Sequence, residues 1–237
     1  MVFVVLLIVL SFKPIAAQPW QICGATATNY TTNSTYHANL QLLSAMLTDN
    51  ATTSPYHFAT GSAGAAPDTV YGLALCRGDV NAAAALGAQQ LCPYRADATF
   101  FYPTCRLRFS DTNFLHPDDY SQIVDGVVNT TNNETLLPGW DPGDAQSVAD
   151  ITEIIGEMFQ ETARQAAYSS GARMFATGRM GGAAGGSFPA LYSMAQCMPA
   201  LTHRDCSSCL QVISFMATEN FAGRQGGRLL ALWCNFR

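Results

Sequence analysis

Eight cysteines are the residues of this 237-residue chain best suited to chemistry, and three of them, Cys197, Cys206 and Cys209, stand in the spacing C-x8-C-x2-C. Thiols so spaced have three uses. With His203 nearby they can ligate zinc, since C-x2-C is a common zinc half-site. Cys206 and Cys209 can form a redox-active Cys-X-X-Cys pair. All of them can be oxidised into structural disulfides. The compartment decides between these. Val2 to Leu10 is an unbroken apolar run followed by Lys13, Ala16 and Ala17, so residues 1–17 read as an export signal cleaved near Ala17/Gln18. A run of that length does not span a bilayer, which needs ~20 apolar residues, and no later segment comes close to it. The mature chain is expected to be secreted, soluble and without stable membrane insertion, and its cysteines to form a disulfide framework rather than hold a metal.

The remaining side chains exclude several enzyme classes. Lys13 is the only lysine, and every other basic residue is an arginine. Without residues 1–17 the chain has no amine for a Schiff base, no Gly-Lys of a Walker loop and no kinase lysine. The histidines His37, His57, His116 and His203 stand in no H-E-x-x-H or G-x-S-x-G context, and a Cys-His protease would need a free thiol. No cofactor and no enzymatic activity are expected. With 12 basic against 17 acidic side chains, a nucleic-acid surface is not expected either. Arg77-Gly78-Asp79 spells an integrin-type tripeptide but directly follows a cysteine and reads as loop sequence. Gly181 to Ser187 lacks the G-x-G-x-x-G spacing and reads as a hairpin loop. Asn29, Asn33, Asn50, Asn129 and Asn133 each open an Asn-X-Ser/Thr sequon, consistent with glycosylation of an exported chain.

The elements that position these residues occur twice. Phe58-Ala59-Thr60-Gly61 matches Phe175-Ala176-Thr177-Gly178. Tyr-X-X-Ala-X-Cys occurs at Tyr71–Cys76 and Tyr192–Cys197, and Cys-X-apolar-Arg at Cys105–Arg108 and Cys234–Arg237. The shared order divides the chain into a copy at 20–114 and a copy within 121–237, with a linker beginning at 115–120. Asp118 to Asp144, rich in Asn, Thr, Pro and Gly, reads as exposed linker ending where a helix begins. Val148, Ile151, Ile155 and Met158 give that helix one buried stripe, and Leu40, Leu43 and Leu47 give the first copy an equivalent. The run after Cys209 is a second helix candidate. Thr99–Tyr102 and Arg228–Cys234 read as strands. Each copy is thus a small sheet covered by helices on one face.

The cysteine spacing, Tyr-X-X-Ala-X-Cys before it and Arg228 and Cys234-Asn-Phe-Arg237 after it closely resemble the ginkbilobin-homologous, or salt-stress-response/antifungal, domain. That domain occurs in plant cysteine-rich repeat secretory proteins and in the ectodomains of cysteine-rich receptor-like kinases. The resemblance implies an α+β fold in two tandem copies, each an antiparallel sheet of about five strands with two helices on one face, held by disulfides. It implies the pairs Cys197–Cys206 and Cys209–Cys234, and Cys23–Cys92 in the first copy. There the third and fourth family cysteines are replaced by Ala85 and Ala88, which reads as a deletion that also shortened a helix. In the family the second and sixth cysteines lie close to each other, so the remaining Cys76 and Cys105 can bridge directly, which would contribute roughly 3 kcal/mol; the competing outcome is two free thiols in a marginally folded first copy. Mannose-binding members use an asparagine after the first cysteine, an arginine six residues before the last and a glutamate five residues after it. The first copy has Gly24, Thr99 and Ser110 at these positions. In the second only Arg228 matches, and the chain ends before the glutamate position. What the resemblance implies is a non-enzymatic apoplastic defence protein, antifungal or stress-responsive, that binds an extracellular glycan or a receptor ectodomain. The alternative is a kinase-less ectodomain, either a soluble competitor of receptor-like kinases or a truncated gene model. Ligand identity and oligomeric state are open at this level.

Overall fold

The computed structural model describes residues 20–24, 28–79, 91–115, 128–129, 141, 143–168, 174–181, 190–220 and 224–237. The signal segment read at 1–17, Ala85 and Ala88, His116, Asn133 and all but the first residue of the 181–187 loop lie outside these. Two five-stranded antiparallel sheets repeat one topology. The first contains β1 (Trp20–Cys23), β2 (Phe58–Ala63), β3 (Val70–Cys76), β4 (Ala98–Phe101) and β5 (Cys105–Ser110) in the order β1-β4-β5-β3-β2. The second contains β6 (Val128–Asn129), β7 (Phe175–Met180), β8 (Leu191–Cys197), β9 (Leu229–Leu230) and β10 (Cys234–Phe236) in the order β6-β9-β10-β8-β7. The matched sequence blocks occupy matched strands. The Phe-Ala-Thr-Gly blocks open β2 and β7, and the Tyr-X-X-Ala-X-Cys blocks fill β3 and β8.

Helix α1 (Thr35–Thr53) starts where the Ser34 hydroxyl accepts the His37 N–H at 3.2 Å, satisfying a donor that has no partner within the helix. Its Leu40, Leu43 and Leu47, one turn apart, are each 1% exposed and lie on the first sheet. The Tyr36 hydroxyl donates to the Ala96 carbonyl at 2.6 Å, tying the helix start to the segment before β4. Helix α2 (Ala145–Tyr168) buries Ile151 and Met158 of its expected stripe. It extends that stripe through Phe159, Ala163, Ala166 and Ala167. Helix α3 (His203–Asn220) packs beside it and carries Cys206 and Cys209 in its first two turns. Among the described residues the first repeat has one helix and the second has two.

Two expectations need correction. Arg228–Cys234 is not one strand: residues 231–233 turn between β9 and β10, closed by the Ala231 N–H donating to the Cys234 carbonyl at 3.0 Å. The apolar run comes from burial of both strands and of the turn itself. The linker is not wholly outside the fold either, because β6 within it pairs with β9 as an edge strand.

The sheets also use both faces. Val70, Gly72 and Ala74 of β3 point to α1, while Leu73 and Leu75, 0% and 2% exposed, join the core of the second repeat with Phe236, Trp233 and Met158. A strand buried on both sides shows a continuous apolar run instead of alternation, and β3 reads Val-Tyr-Gly-Leu-Ala-Leu-Cys.

The repeated glycines of β2 and β7 differ in surroundings. A Cβ on Gly61 meets only a Leu43 methyl at 3.7 Å, whereas one on Gly178 falls 2.2 Å from Thr162 Oγ1 and 2.4 Å from Ser193 Oγ. Those two hydroxyls form a buried 2.6 Å hydrogen bond between α2 and β8. Gly61→Ala is therefore expected to be neutral within about 0.5 kcal/mol, and Gly178→Ala to destabilise by roughly 1–3 kcal/mol. Denaturant unfolding of the two variants checks this, and equal effects would show that the β7–α2 contact is looser than described.

Candidate functional site

The cysteines occupy strand ends and helix starts. Cys76 and Cys105 are register partners across β3 and β5 and form a disulfide with Cα atoms 3.9 Å apart. Cys197 and Cys234 are register partners at the equivalent place across β8 and β10, yet each is bridged to α3, as Cys197–Cys206 and Cys209–Cys234. Cys23–Cys92 ties β1 to the segment before β4. No described cysteine is a free thiol. The zinc and Cys-X-X-Cys readings of Cys206 and Cys209 therefore have no thiolate to act through. His203 donates through Nδ1 to the Ala167 carbonyl, 2.6 Å away, and stacks on Tyr168. The Arg77 guanidinium grips Asp79 through two bonds of 2.8 and 2.5 Å, holding that carboxyl below its ordinary range, and a Cβ on Gly78 would touch Phe175. Gly78 thus packs the tripeptide against the second repeat, while Asp79 stays exposed.

Between the repeats the two terminal hairpins exchange arginines. Arg106 of β5 donates to the Ala231 carbonyl in the β9–β10 turn, and Arg237, just after β10, donates to the Pro103 carbonyl in the β4–β5 turn at 2.8 Å. The two turns are themselves equivalent: Tyr102 N–H donates to Cys105 O, and Ala231 N–H to Cys234 O. Gln196 adds a third link, donating to the Cys76 carbonyl at 3.0 Å, and Phe101 packs against Leu230. Burial and the neighbouring Arg237 charge push the Arg106 guanidinium down to about 9. Burial, Arg228 and Arg77 push Arg237 to about 10, against the pull of Asp79. Arg228 itself is exposed, beside β9.

A concavity of about 660 Å³ lies between α2 and α3. Tyr168 and Phe215, 55% and 68% exposed, line it together with Gln160, Gln211, Ser207 and Ser214. Aromatic faces among a few amides and hydroxyls are the usual lining of a small-ligand cleft. Neither the seam nor this concavity was legible as a site in the sequence, though exposed aromatics on helix faces outside the apolar stripe were a usable signal for the concavity.

The model of the salt stress response/antifungal family matches residues 22–112 and again 145–237. The chain belongs to that family. Relatives in it include cysteine-rich receptor-like protein kinase 6 of Oryza sativa subsp. japonica, 39% identical over 98% of this chain and 34% of the relative. Cysteine-rich receptor-like protein kinase 10 of the same organism is 36% identical over 90% of this chain and 33% of the relative. The chain thus spans about a third of the length of these curated relatives. Its fold is similar to the tandem DUF26 ectodomain of the Arabidopsis thaliana cysteine-rich receptor-like protein PDLP5, with a TM-score of 0.66 at 19% identity, covering 92% of this chain and 96% of that one. The ectodomain of PDLP8 gives 0.70 at 16% identity, covering 92% and 95%.

At the positions that the family's mannose-binding members use, the first repeat presents no convergent trio. Gly24 abuts Asp97, and Thr99 and Ser110 are buried in β4 and β5. Asp97, raised by burial against the pull of Arg108, pairs with Arg108 at 3.5 Å. Asn29, Asn33 and Asn50 are exposed, and the Asn129 backbone pairs with Leu229. Among the described residues no helix is long and apolar enough to cross a membrane.

The seam makes a testable contrast. Gln196→Ala leaves the buried Cys76 carbonyl without its donor and is expected to cost about 1–3 kcal/mol. Arg228→Ala, at an exposed position, should stay within about 0.5 kcal/mol. Chemical denaturation of both variants separates the two, and a Gln196 variant as stable as the parent would remove that link from the seam.

Proposed function

We propose that the chain is a secreted, non-enzymatic defence or stress-response protein whose paired repeats bind an extracellular partner, with the α2–α3 groove as the contact and a glycan as its occupant. The observation that supports this reading is the groove's lining. The exposed rings of Tyr168 and Phe215 offer apolar faces to the C–H side of a pyranose, while Gln160 and Gln211 offer amides that donate and accept as sugar hydroxyls do. In this reading the groove replaces the family's mannose position, where only Arg228 remains. Glycans on Asn29, Asn33 and Asn50 would emerge from the first repeat and leave a groove on the second accessible. A second reading, a soluble kinase-less ectodomain that contacts receptor ectodomains, draws on the relatives, in which this region is the extracellular part of a receptor-like kinase.

The test begins with expression from the native N-terminus in plant cells. Protein is recovered from apoplastic fluid, with its first residue at or near Gln18 and a mass that falls on glycosidase treatment, and is then applied to a glycan array. Saturable binding that drops at least tenfold in Phe215→Ala and Tyr168→Ala is expected. A blank array beside capture by a receptor-like kinase ectodomain would favour the second reading, and full-length protein held in the cytosol would overturn both.

A further inference from the structure

The seam between the hairpins buries a guanidinium that has no counter-ion among the described residues. Arg106 is 5% exposed; its Nη1 donates to the Ala231 carbonyl and, at 3.5 Å, to the Cys234 carbonyl. Its Nε and Nη2 have no hydrogen-bond partner among the described residues, and the Nε of Arg237 is buried in the same condition. Asp79, the described carboxylate within electrostatic reach of Arg237, is itself gripped by Arg77. The charge that Arg106 does meet is another cation, Arg237, which in turn has Arg77 and Arg228 within electrostatic reach. Three of these four arginines, Arg77, Arg106 and Arg237, line one seam of a chain whose formal charge is -5.

A guanidinium stays protonated in any physiological medium, so losing its proton does not relieve the burial. Two carbonyls solvate part of it, but a buried charge beside a like charge needs an opposite one. Arg106, Arg237 and Asn235 face a cavity of about 20 Å³ walled by Leu75, Phe101 and Leu230. That space is sufficient for one monatomic ion. The Asn235 amide, whose Oδ1 also has no partner among the described residues, can turn its NH₂ toward an anion.

We propose that this cavity is a halide site, in which one chloride ion bound between Arg106 and Arg237 holds the two terminal hairpins together. The ion satisfies the free donors of both guanidinia and separates their charges, so its binding belongs to the docked arrangement of the repeats. The site is remote from the α2–α3 groove in its residues and stands or falls independently of the glycan reading.

The test uses the mature chain at constant ionic strength, with chloride or bromide exchanged for the bulky anion gluconate. The expected result is a saturable rise in Tm with either halide, about 3–6 °C at ten times Kd, and none with gluconate. Crystals grown in bromide are expected to show anomalous density between Arg106 and Arg237. Arg106→Gln, which keeps hydrogen-bonding capacity but removes the charge, is expected to abolish the halide response; if that variant does not fold, the bromide density in the parent decides. A Tm that follows ionic strength whatever the anion, a halide response retained in Arg106→Gln, or a cavity holding water alone would each overturn the proposal.

Discussion

The structure depends on a register: in each repeat, the last residue of one inner strand stands directly opposite the first residue of its neighbour, and both are cysteines. Cys76 faces Cys105, and Cys197 faces Cys234. That apposition lets one topology run two disulfide arrangements. Where α3 supplies Cys206 and Cys209, the facing cysteines both turn to the helix, pinning it across the strand ends. In the first repeat, where the sequence has Ala85 and Ala88 at those cysteine positions, the facing pair closes on itself and joins the ends of β3 and β5. A change of helix cysteines in the first repeat therefore leaves no unpaired thiol.

The same hairpins that carry Cys105 and Cys234 join the repeats. Their turns receive Arg237 and Arg106 respectively, so each repeat caps carbonyls at the end of the other, over an apolar contact made by Leu73, Leu75, Phe101 and Leu230. Backbone carbonyls at a buried turn need donors, and long arginine side chains reach them across the gap between sheets. The disulfides and the interface are coupled through these two short segments. The α2–α3 surface, with the exposed rings of Tyr168 and Phe215, lies outside this seam.

Much of this was readable before any coordinates. The leucines of α1 recur with helical spacing and all three are buried, and the repeated blocks fall on repeated strands, because local periodicity and strand alternation report burial against one partner. Burial against two partners was harder to see. In β3 the apolar run is continuous, and nothing in it says that Leu73 faces another repeat. Arg228–Cys234 read as one strand because its apolar run continues through a tight turn at residues 231–233 that is buried as deeply as the strands beside it. The seam was invisible for a different reason. Arg106 and Ala231 are 125 residues apart, and Arg237 and Pro103 are 134 apart. Arginine, glutamine and asparagine on strands are ordinarily read as solvent-facing, so only the docking of the sheets brings them together.

The account rests most directly on the pairing at the strand ends, and peptide mapping of the native protein without reduction measures it. Free thiols are alkylated at low pH before digestion, and linked peptides are identified by mass. The structure predicts four linked pairs: Cys23 with Cys92, Cys76 with Cys105, Cys197 with Cys206, and Cys209 with Cys234. Alkylation of Cys76 and Cys105 in folded protein, or a Cys197–Cys234 link in place of the two bridges to α3, would contradict it.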